Sequence, residues 1–162
     1  MAMKSQSQRL HRMQDFRELP GHLIRRLHQV SVALFAEECA GLDITPVQYA
    51  VLFVLQESPG MDATRLSEQV FFDRSTLGAV LDRLEKKGVV TRSGSVNDRR
   101  VKVLHLTPLG RRLLRKASGP VQRVQQRLLE PLEKDERRQL QALLSRLAEL
   151  HRVPGPSPQA ED

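Results

Sequence analysis

The sequence predicts a mainly α-helical fold with a small β-sheet, and three patterns point to it. Apolar residues recur at three- and four-residue steps over several stretches, which is typical of amphipathic helices. Two short helical stretches are separated only by Phe71 and Phe72, the spacing of a helix-turn-helix. Two short apolar, β-branched segments follow, with turn-forming residues between them. This order of elements is that of a winged helix-turn-helix.

The first predicted helix begins at Pro20-Gly21, runs to about Ala40 and is ended by Gly41. It carries two apolar stripes, which indicates two packing partners. The stripes consist of Leu23, Leu27, Val30 and Leu34, and of Ile24, Ser31 and Phe35. The next helix begins in Thr45-Pro46-Val47-Gln48, a capping box with proline at the first helical position, and runs to Glu57.

The helix pair that follows is predicted over Asp62–Val70 and Asp73–Lys87. In the second helix a buried stripe is predicted at Leu77, Val80, Leu81 and Leu84, and Gly88 ends the helix in a left-handed conformation. Small, hydroxyl-bearing and cationic side chains remain outside this stripe, and they suit close approach to a major groove. The predicted DNA-binding residues of this helix are Arg74, Ser75, Thr76, Gly78, Ala79 and Arg83.

A wing is predicted from two strands, Val89–Arg92 and Val101–Leu106, joined by a charged loop. The residues 93–97 favour a turn, so the loop tip is expected to expose three further DNA-binding residues. These are Asp98, Arg99 and Arg100. After the second strand, Thr107 can cap a helix whose first turn contains Pro108.

Two C-terminal helices complete the prediction. One runs from Pro108 to about Leu129, and Gly119-Pro120 is expected to kink or interrupt it. The other, Lys134–Arg152, presents a continuous leucine seam that a monomer has little core to cover, so we expect it to pair with a second chain. The expected dimer-interface residues are Leu23, Leu27, Leu140, Leu143, Leu144, Leu147 and Leu150. A monomer with these helices folded back on their own domain is the alternative.

These residues closely resemble the MarR family of bacterial transcription regulators over about residues 19–151. The family's pattern Asp-x-Arg, five residues, Leu-Thr-x-x-Gly is found as Asp98, Arg100, Leu106, Thr107 and Gly110, and the stretch 84–88 resembles its recognition-helix exit. The resemblance implies a homodimeric, ligand-responsive repressor that binds a pseudo-palindromic operator in double-stranded DNA. It also implies that the wing-tip pair reaches into a minor groove.

The resemblance further implies an effector site between the first, second and fifth helices, where small aromatic acids bind in relatives. An arginine or a protonated histidine can pair with a carboxylate, and a tyrosine can stack on a ring. The candidate effector residues here are His22, Arg25, Arg26, His28, Tyr49 and His105. His28 and Tyr49 can equally be core residues, and the two arginines can face solvent or DNA.

Residues 21–29 and 42–50 also look like a MarR subgroup that represses nicotinic-acid degradation. That likeness implies a hydroxylated pyridine carboxylate such as 6-hydroxynicotinate as inducer. Spacing arguments do not select pyridine over benzene, so other phenolic and aromatic acids stay open.

Composition excludes several other classes. The 162 residues carry a formal charge of +7, which favours polyanions without identifying one. The sequence has no Ser-His-acid set, glycine-rich phosphate loop or paired metal ligands at diagnostic spacing, so no enzyme activity, cofactor or metal is expected. No apolar stretch approaches the roughly 20 residues of a membrane helix and no signal-peptide core is seen, so a cytoplasmic protein is expected. The single cysteine, Cys39, is predicted to be a small buried side chain rather than a redox sensor.

Two rival functions use the same fold. An architectural DNA-binding protein would tolerate many sequences and respond to no ligand. Asp82 and Glu85, expected on the exposed side of the reading helix, disfavour indiscriminate phosphate binding. A protein-interaction module would leave Arg99 and Arg100 unexplained.

The predicted organisation is one domain with two tails. A mobile arm at 1–18 precedes N-terminal helices at 19–60, a winged helix-turn-helix at 61–107 and C-terminal dimerisation helices at 108–152. A proline-rich tail at 153–162 is predicted to be disordered.

Overall fold

The computed structural model describes residues 13–95 and 101–150, which form seven helices and three strands. The predicted winged helix-turn-helix is confirmed. In chain order the elements are α1 (Met13–Arg17), α2 (Pro20–Glu38), α3 (Pro46–Glu57), β1 (Met61–Asp62), α4 (Ala63–Val70), α5 (Arg74–Lys86), β2 (Val90–Gly94), β3 (Lys102–Leu106), α6 (Pro108–Leu129) and α7 (Lys134–Leu150). The short helix α1 lies within the segment expected to be a mobile arm. Residues 1–12 and the tail at 153–162 lie outside the described residues.

The sheet is antiparallel in the order β1-β3-β2. The register pairs Thr91 with His105 and Arg92 with Leu104, so β2 and β3 form the predicted wing. Strand β1 was not predicted, because two residues are too few to show alternation. It pairs Met61 with Leu104 and thereby ties the start of α4 to the wing.

The main core lies where α3, α4, α5 and the sheet meet. All four residues of the predicted α5 stripe are buried, and they pack with side chains of the other elements. The most deeply buried partners are Val51, Leu52, Leu55, Leu66 and Leu104. Because burying a leucine side chain contributes about 1.5–3 kcal/mol, this cluster fixes the position of α5 relative to the wing.

Side-chain caps set the helix starts. Thr45 and Gln48 form the predicted capping box of α3. The carboxylates of Asp62 and Asp73 accept hydrogen bonds from backbone N–H groups in the first turns of α4 and α5, at 2.9 and 2.8 Å. Each helix-turn-helix element therefore begins at an acidic residue, as predicted, although the helical residues themselves start one position later.

The junction between α5, the wing and α6 explains the Leu-Thr-x-x-Gly pattern. Gly88 has a φ of +67°, so it ends α5 in the predicted left-handed conformation. The Thr107 hydroxyl donates to the Gly88 carbonyl at 2.7 Å and accepts from the Gly110 N–H at 3.1 Å. A Cβ at Gly110 would lie 2.1 Å from the Val89 carbonyl oxygen, so only glycine fits against this strand.

Helix α6 runs through Pro120 without a break. The interruption considered from Gly119-Pro120 is therefore not found. An interior proline removes one backbone hydrogen bond, but Ala117 and Val124 are buried on either side of it and hold the two halves in one helix. Helix α6 packs along α2.

Ion pairs join α2 to α6. Glu38 contacts Arg123 at 2.7 Å and Arg127 at 3.0 Å, and Glu37 contacts Arg127 at 2.9 Å. The two arginines hold the pKa of Glu38 below its ordinary value.

Within the described ranges, no helix has both the length and the apolar character that a membrane span requires.

Candidate DNA interface and effector region

The outward face of α5 has the predicted composition. Arg74, Ser75, Thr76, Ala79 and Arg83 are exposed, and Gly78 is half-buried. Four buried residues on the opposite face anchor the helix, so the exposed side chains are presented on a rigid element. Small residues in the middle of this face allow a backbone or a base edge to approach the helix closely.

Asp73 organises the first turn of α5. Its carboxylate accepts hydrogen bonds from the hydroxyls of Ser75 and Thr76, both at 2.5 Å, as well as from the Thr76 N–H. These bonds hold the pKa of Asp73 well below its usual range. Each hydroxyl proton is thereby committed to Asp73, and the oxygen lone pairs remain available to a DNA base.

Arg92 in β2 faces the acidic residues of α5. Its guanidinium contacts Asp82 at 3.1 Å and Glu85 at 2.9 Å. Asp82 is exposed, as expected, but the expectation for Glu85 is corrected, because it is half-buried. Both carboxylates are paired with Arg92. Sequence reasoning missed Arg92 because the contact joins two elements, although an arginine at the end of the predicted first wing strand was a visible signal.

The two wing strands meet at the base of the predicted charged loop. The Ser95 N–H donates to the Val101 carbonyl at 2.8 Å, which closes the β2-β3 pair at the base of the loop. Asp98, Arg99 and Arg100 lie outside the described residues. Their assignment to DNA contact remains a prediction.

A cationic cluster occupies the N-terminal half of α2. The guanidinium of Arg25 lies 3.5 Å from His22 Nδ1, and the His22 ring lies 4.5 Å from the ring of Phe16. Partial desolvation, together with the charges of Arg25, Arg26 and Arg17, lowers the pKa of His22. Three of the predicted effector residues, His22, Arg25 and Arg26, are therefore grouped, and a carboxylate would relieve their mutual repulsion.

Tyr49 lies on α3 among aromatic side chains. Its ring is 6.4 Å from Phe35 and 6.2 Å from Phe53, and burial raises the pKa of its hydroxyl. His28 is exposed. It lies two helical turns before Phe35 and on nearly the same face of α2, because seven residues at about 100° each return to within roughly 20°. His28 is therefore not a core histidine, whereas Tyr49 is partly a core residue. Sequence reasoning did not single out Phe53.

His105 lies elsewhere, in the sheet. It pairs with Thr91 in the β2-β3 register, and its ring edge is 3.3 Å from where a Cβ would stand at Gly60. Of the six predicted effector residues, the structure thus groups three on α2, places His28 on another face of that helix, and puts Tyr49 and His105 on separate elements.

Two cavities of the described chain border α4. One of about 430 Å³ is bounded by the turn 58–61 and by Arg65, Glu68 and Gln69. Another of about 170 Å³ lies between α4 and α5, with Arg74 and Arg92 at its rim. No predicted effector residue lines either one. In the described part of the chain, no three His, Cys, Asp or Glu residues are grouped as a metal site would require.

Cys39 is buried at the end of α2, as predicted. Burial, and secondarily the charge of Glu38, raises the pKa of its thiol. A thiol with a raised pKa carries little thiolate at neutral pH, which is the opposite of what a redox sensor needs.

Among the described residues, α2 and α7 each carry exposed apolar side chains. On α2 they include Leu23, Ile24, Leu27 and Val30, and on α7 they include Leu143, Leu144, Leu147 and Leu150. No residue of α7 is buried, and Leu140 is half-buried. Large apolar faces of this kind are typical of subunit interfaces.

Comparison with known proteins places this geometry in a family. Residues 44–102 match the model of the MarR family. The chain is 36% identical over 104 residues to a putative transcriptional regulatory protein for the hcr operon of Thauera aromatica, and 28% identical over 100 residues to the transcriptional repressor NicR of Pseudomonas putida. These alignments cover 64% and 62% of the chain, and 63% of each relative, which is less than two thirds of their length.

Solved structures match over more of the chain. PcaV of Streptomyces coelicolor, in complex with its natural ligand, has a TM-score of 0.78 and 35% identity, covering 83% of this chain and 94% of PcaV. The repressor CouR, bound to a 23-mer DNA duplex, has a TM-score of 0.78 and 33% identity, covering 85% and 98%. BpsR of Bordetella bronchiseptica, whose DNA binding is regulated by 6-hydroxynicotinic acid, has a TM-score of 0.78 and 28% identity, covering 82% and 95%.

The family model spans the chain from the residues before α3 to the start of β3, and the structural matches cover 82–85% of the chain. The chain belongs to the MarR family of transcriptional regulators.

Proposed function

We propose that this protein is a transcription regulator that binds operator DNA as a homodimer and is released by a small aromatic carboxylic acid. The observation that carries the proposal is the outward face of α5. Its exposed arginines, hydroxyls and small residues stand on a helix fixed by four buried side chains. That composition suits phosphate contacts and base-edge contacts in a major groove.

Dimerisation is supported by the exposed apolar faces of α2 and α7. A helix of 17 residues with no buried side chain has no packing partner sufficient to hold it in a single chain. A second copy of the chain would cover both faces and set the spacing of the two α5 helices. Successive half-sites in DNA lie about one helical turn apart, roughly 34–36 Å, which is the spacing such a dimer has to match.

The structural relatives support DNA as the partner. CouR was solved with a DNA duplex, and a mutant of MarR from Escherichia coli was solved with operator DNA; that MarR structure has a TM-score of 0.75 and 31% identity to this chain. The proposed DNA contacts are the predicted residues of α5 together with the wing-tip residues Asp98, Arg99 and Arg100.

An aromatic acid as effector is supported by the chemistry around α2 and α3. Arg25 and Arg26, beside His22, offer positive charge. The rings of Tyr49 and Phe53 offer aromatic faces. BpsR is regulated by 6-hydroxynicotinic acid, which is an aromatic carboxylate, whereas CouR was solved with p-coumaroyl-CoA, which is the thioester of an aromatic acid. A pyridine or benzene carboxylate therefore fits the local chemistry and the effector of BpsR.

Fluorescence anisotropy tests the DNA-binding part directly. The purified protein is titrated into labelled DNA from upstream of its own gene and into scrambled DNA of the same composition. Tight binding to the first and weak binding to the second is expected. Ala79→Glu, which adds a negative charge to the exposed face of α5, should abolish specific binding.

Ser118→Glu is the matched control, because it adds the same charge at an exposed position of α6. Its affinity should stay near that of the unmodified protein. Equal loss in both variants would contradict the placement of the DNA interface on α5.

An architectural DNA-binding protein is the second candidate. It would bind both DNAs equally with a steep salt dependence and would ignore every acid. The carboxylates Asp82 and Glu85 on α5 disfavour it, because they offset part of the positive charge of the reading helix, on which sequence-independent phosphate binding depends.

A further inference from the structure

Arg92 lies in β2, beside the reading helix α5. In the structure its two terminal nitrogens are both engaged by protein carboxylates. One lies 3.1 Å from Asp82 and the other 2.9 Å from Glu85. The guanidinium thus bridges the wing strand β2 and the helix α5.

Both ends of the bridge lie next to buried residues. Arg92 pairs in the sheet with Leu104, which is buried, and the carboxylates flank Leu84, which is also buried. A planar guanidinium with donors in fixed directions can hold two carboxylates at once, which a lysine ammonium on a flexible stem does less well. The contact therefore restrains the angle between the wing and α5.

The bridge also changes the charge that α5 presents. Two carboxylates and one guanidinium leave one net negative charge instead of two. Charges still interact over about 10 Å at ordinary ionic strength, so the charge of this group can act on DNA held at α5. Without Arg92, the group would present two negative charges instead of one.

Fold stability depends little on this group. The side chains of Arg92, Asp82 and Glu85 are 36%, 61% and 27% exposed, and solvent-exposed ion pairs contribute little to the free energy of unfolding. Loss of Arg92 should therefore leave a folded protein whose DNA binding can be measured.

We infer that Arg92 is a positioning residue for DNA recognition, which sets the wing against α5 and balances Asp82 and Glu85, and is not itself a phosphate contact. This inference rests on the proposed DNA-binding function. It separates Arg92 from the exposed arginines of α5, such as Arg83, which pair with no carboxylate among the described residues and are proposed to bind DNA.

A double-mutant cycle tests this assignment. Operator affinity is measured by anisotropy at several salt concentrations for Arg92→Gln, for Asp82→Asn/Glu85→Gln, and for the triple variant. Arg92→Gln should weaken operator binding at least about tenfold in the native background. In the background without the two carboxylates, the same substitution should cost several times less, because the groups through which Arg92 acts are gone.

The salt dependence supplies a readout that a general structural role would not move. Arg92→Gln should lower the slope of log affinity against log salt by clearly less than one, because a screened charge is removed but no phosphate contact is lost. The matched control, Arg83→Gln, should lower the slope by about one and cost the same in both backgrounds. Arg92→Lys keeps the charge but not the planar guanidinium that can contact two carboxylates at once, so it should retain only part of the affinity.

Each result decides the matter. Equal losses in both backgrounds with a slope lowered by about one would make Arg92 a phosphate contact and overturn the inference alone. An Arg92→Gln protein with native affinity would also overturn it. An unmodified protein that binds no DNA would overturn the proposed function, and this inference with it.

Discussion

At the scale of single residues, Asp73 determines what α5 offers to DNA. Its carboxylate accepts hydrogen bonds from the hydroxyls of Ser75 and Thr76, and these bonds hold its pKa well below the usual range, so it stays ionised. With their protons directed to Asp73, the two hydroxyl oxygens can act toward DNA as hydrogen-bond acceptors. In the major groove, the amino groups of adenine and cytosine are the donors they can meet.

Thr76→Val tests this directionality. Valine keeps the shape of threonine but removes the acceptor, and it offers a methyl group that suits thymine. We expect the preference at one operator position to shift from adenine or cytosine toward thymine by roughly fivefold, about the worth of one hydrogen bond. Selection from a library randomised at each operator position measures the shift. Thr76→Ser retains the hydroxyl and should retain the preference; an unchanged preference in Thr76→Val would rule out this contact.

Phe71 is the residue under most backbone strain in the helix-turn-helix. It adopts φ +55° and ψ +39°, the left-handed region that favours glycine, and its side chain is 83% exposed. Phe71→Gly should raise the free energy of unfolding by about 1 kcal/mol, because the strain disappears and no burial is lost. Urea denaturation measures this. Phe71→Ala keeps a Cβ and should gain less; a glycine variant no more stable than the alanine variant would contradict the strain.

Sequence patterns predict residues of this kind unevenly. The α5 stripe and the caps at Thr45, Asp62 and Asp73 were predictable, because periodicity and capping depend on neighbours in the chain. The pairing of Arg92 with α5 was not, because it depends on the angle at which the strand passes the helix. No local pattern encodes that angle.

At the scale of elements, α2 combines a cationic N-terminal half with a face that reaches Tyr49 through Phe35. The charges of the neighbouring arginines add to desolvation in lowering the pKa of the His22 ring. A bound carboxylate would offset the repulsion from the arginines and raise that pKa, so binding would take up a proton. Effector affinity should therefore rise as the pH falls from neutral into the mildly acidic range.

Isothermal titration of the free protein with the effector acid at several pH values checks this expectation. His22→Gln should remove most of the rise. His105→Gln, a histidine in the sheet, should retain it. A pH dependence that persists in His22→Gln and disappears in His105→Gln would place the carboxylate at the sheet instead.

Elements were predicted well where they are long. The helices α2, α3, α5, α6 and α7 have the expected positions because an amphipathic period extends over three or more turns. Strand β1 was missed because two residues show no period, and Pro120 was overweighted because buried neighbours hold α6 together across it. Tertiary packing decided both cases.

At the scale of the whole molecule, the exposed leucines of α7 matter most. We expect Leu143→Asp to convert a dimer into monomers, because a buried carboxylate would replace a leucine in the proposed interface. Sedimentation velocity measures the change. Ala142→Asp lies on the opposite face of α7 and is exposed, so it should leave the dimer intact. A Leu143→Asp protein that still sediments as a dimer would contradict the placement of the leucine seam of α7 in the dimer interface.

Regulation requires the effector to prefer a state that binds DNA poorly, by about 1.4 kcal/mol for each tenfold loss of affinity. The ion pairs between Glu37, Glu38, Arg123 and Arg127 couple α2, where the effector is proposed to bind, to α6, which starts at the wing. A shift of α2 can thus be transmitted to the spacing of the two α5 helices.

The proposed effector residues are the part that sequence alone located least well, because they lie on three different elements.

The most direct measurement is titration of the preformed complex, the protein bound to labelled DNA from upstream of its own gene, with a panel of pyridine and benzene carboxylates that includes 6-hydroxynicotinate. We expect one acid to lower the anisotropy to the value of free DNA at saturating, non-denaturing concentrations. A matched amide or alcohol without the carboxylate should leave the anisotropy unchanged. A complex that keeps its full anisotropy with every acid would contradict control by an aromatic carboxylate.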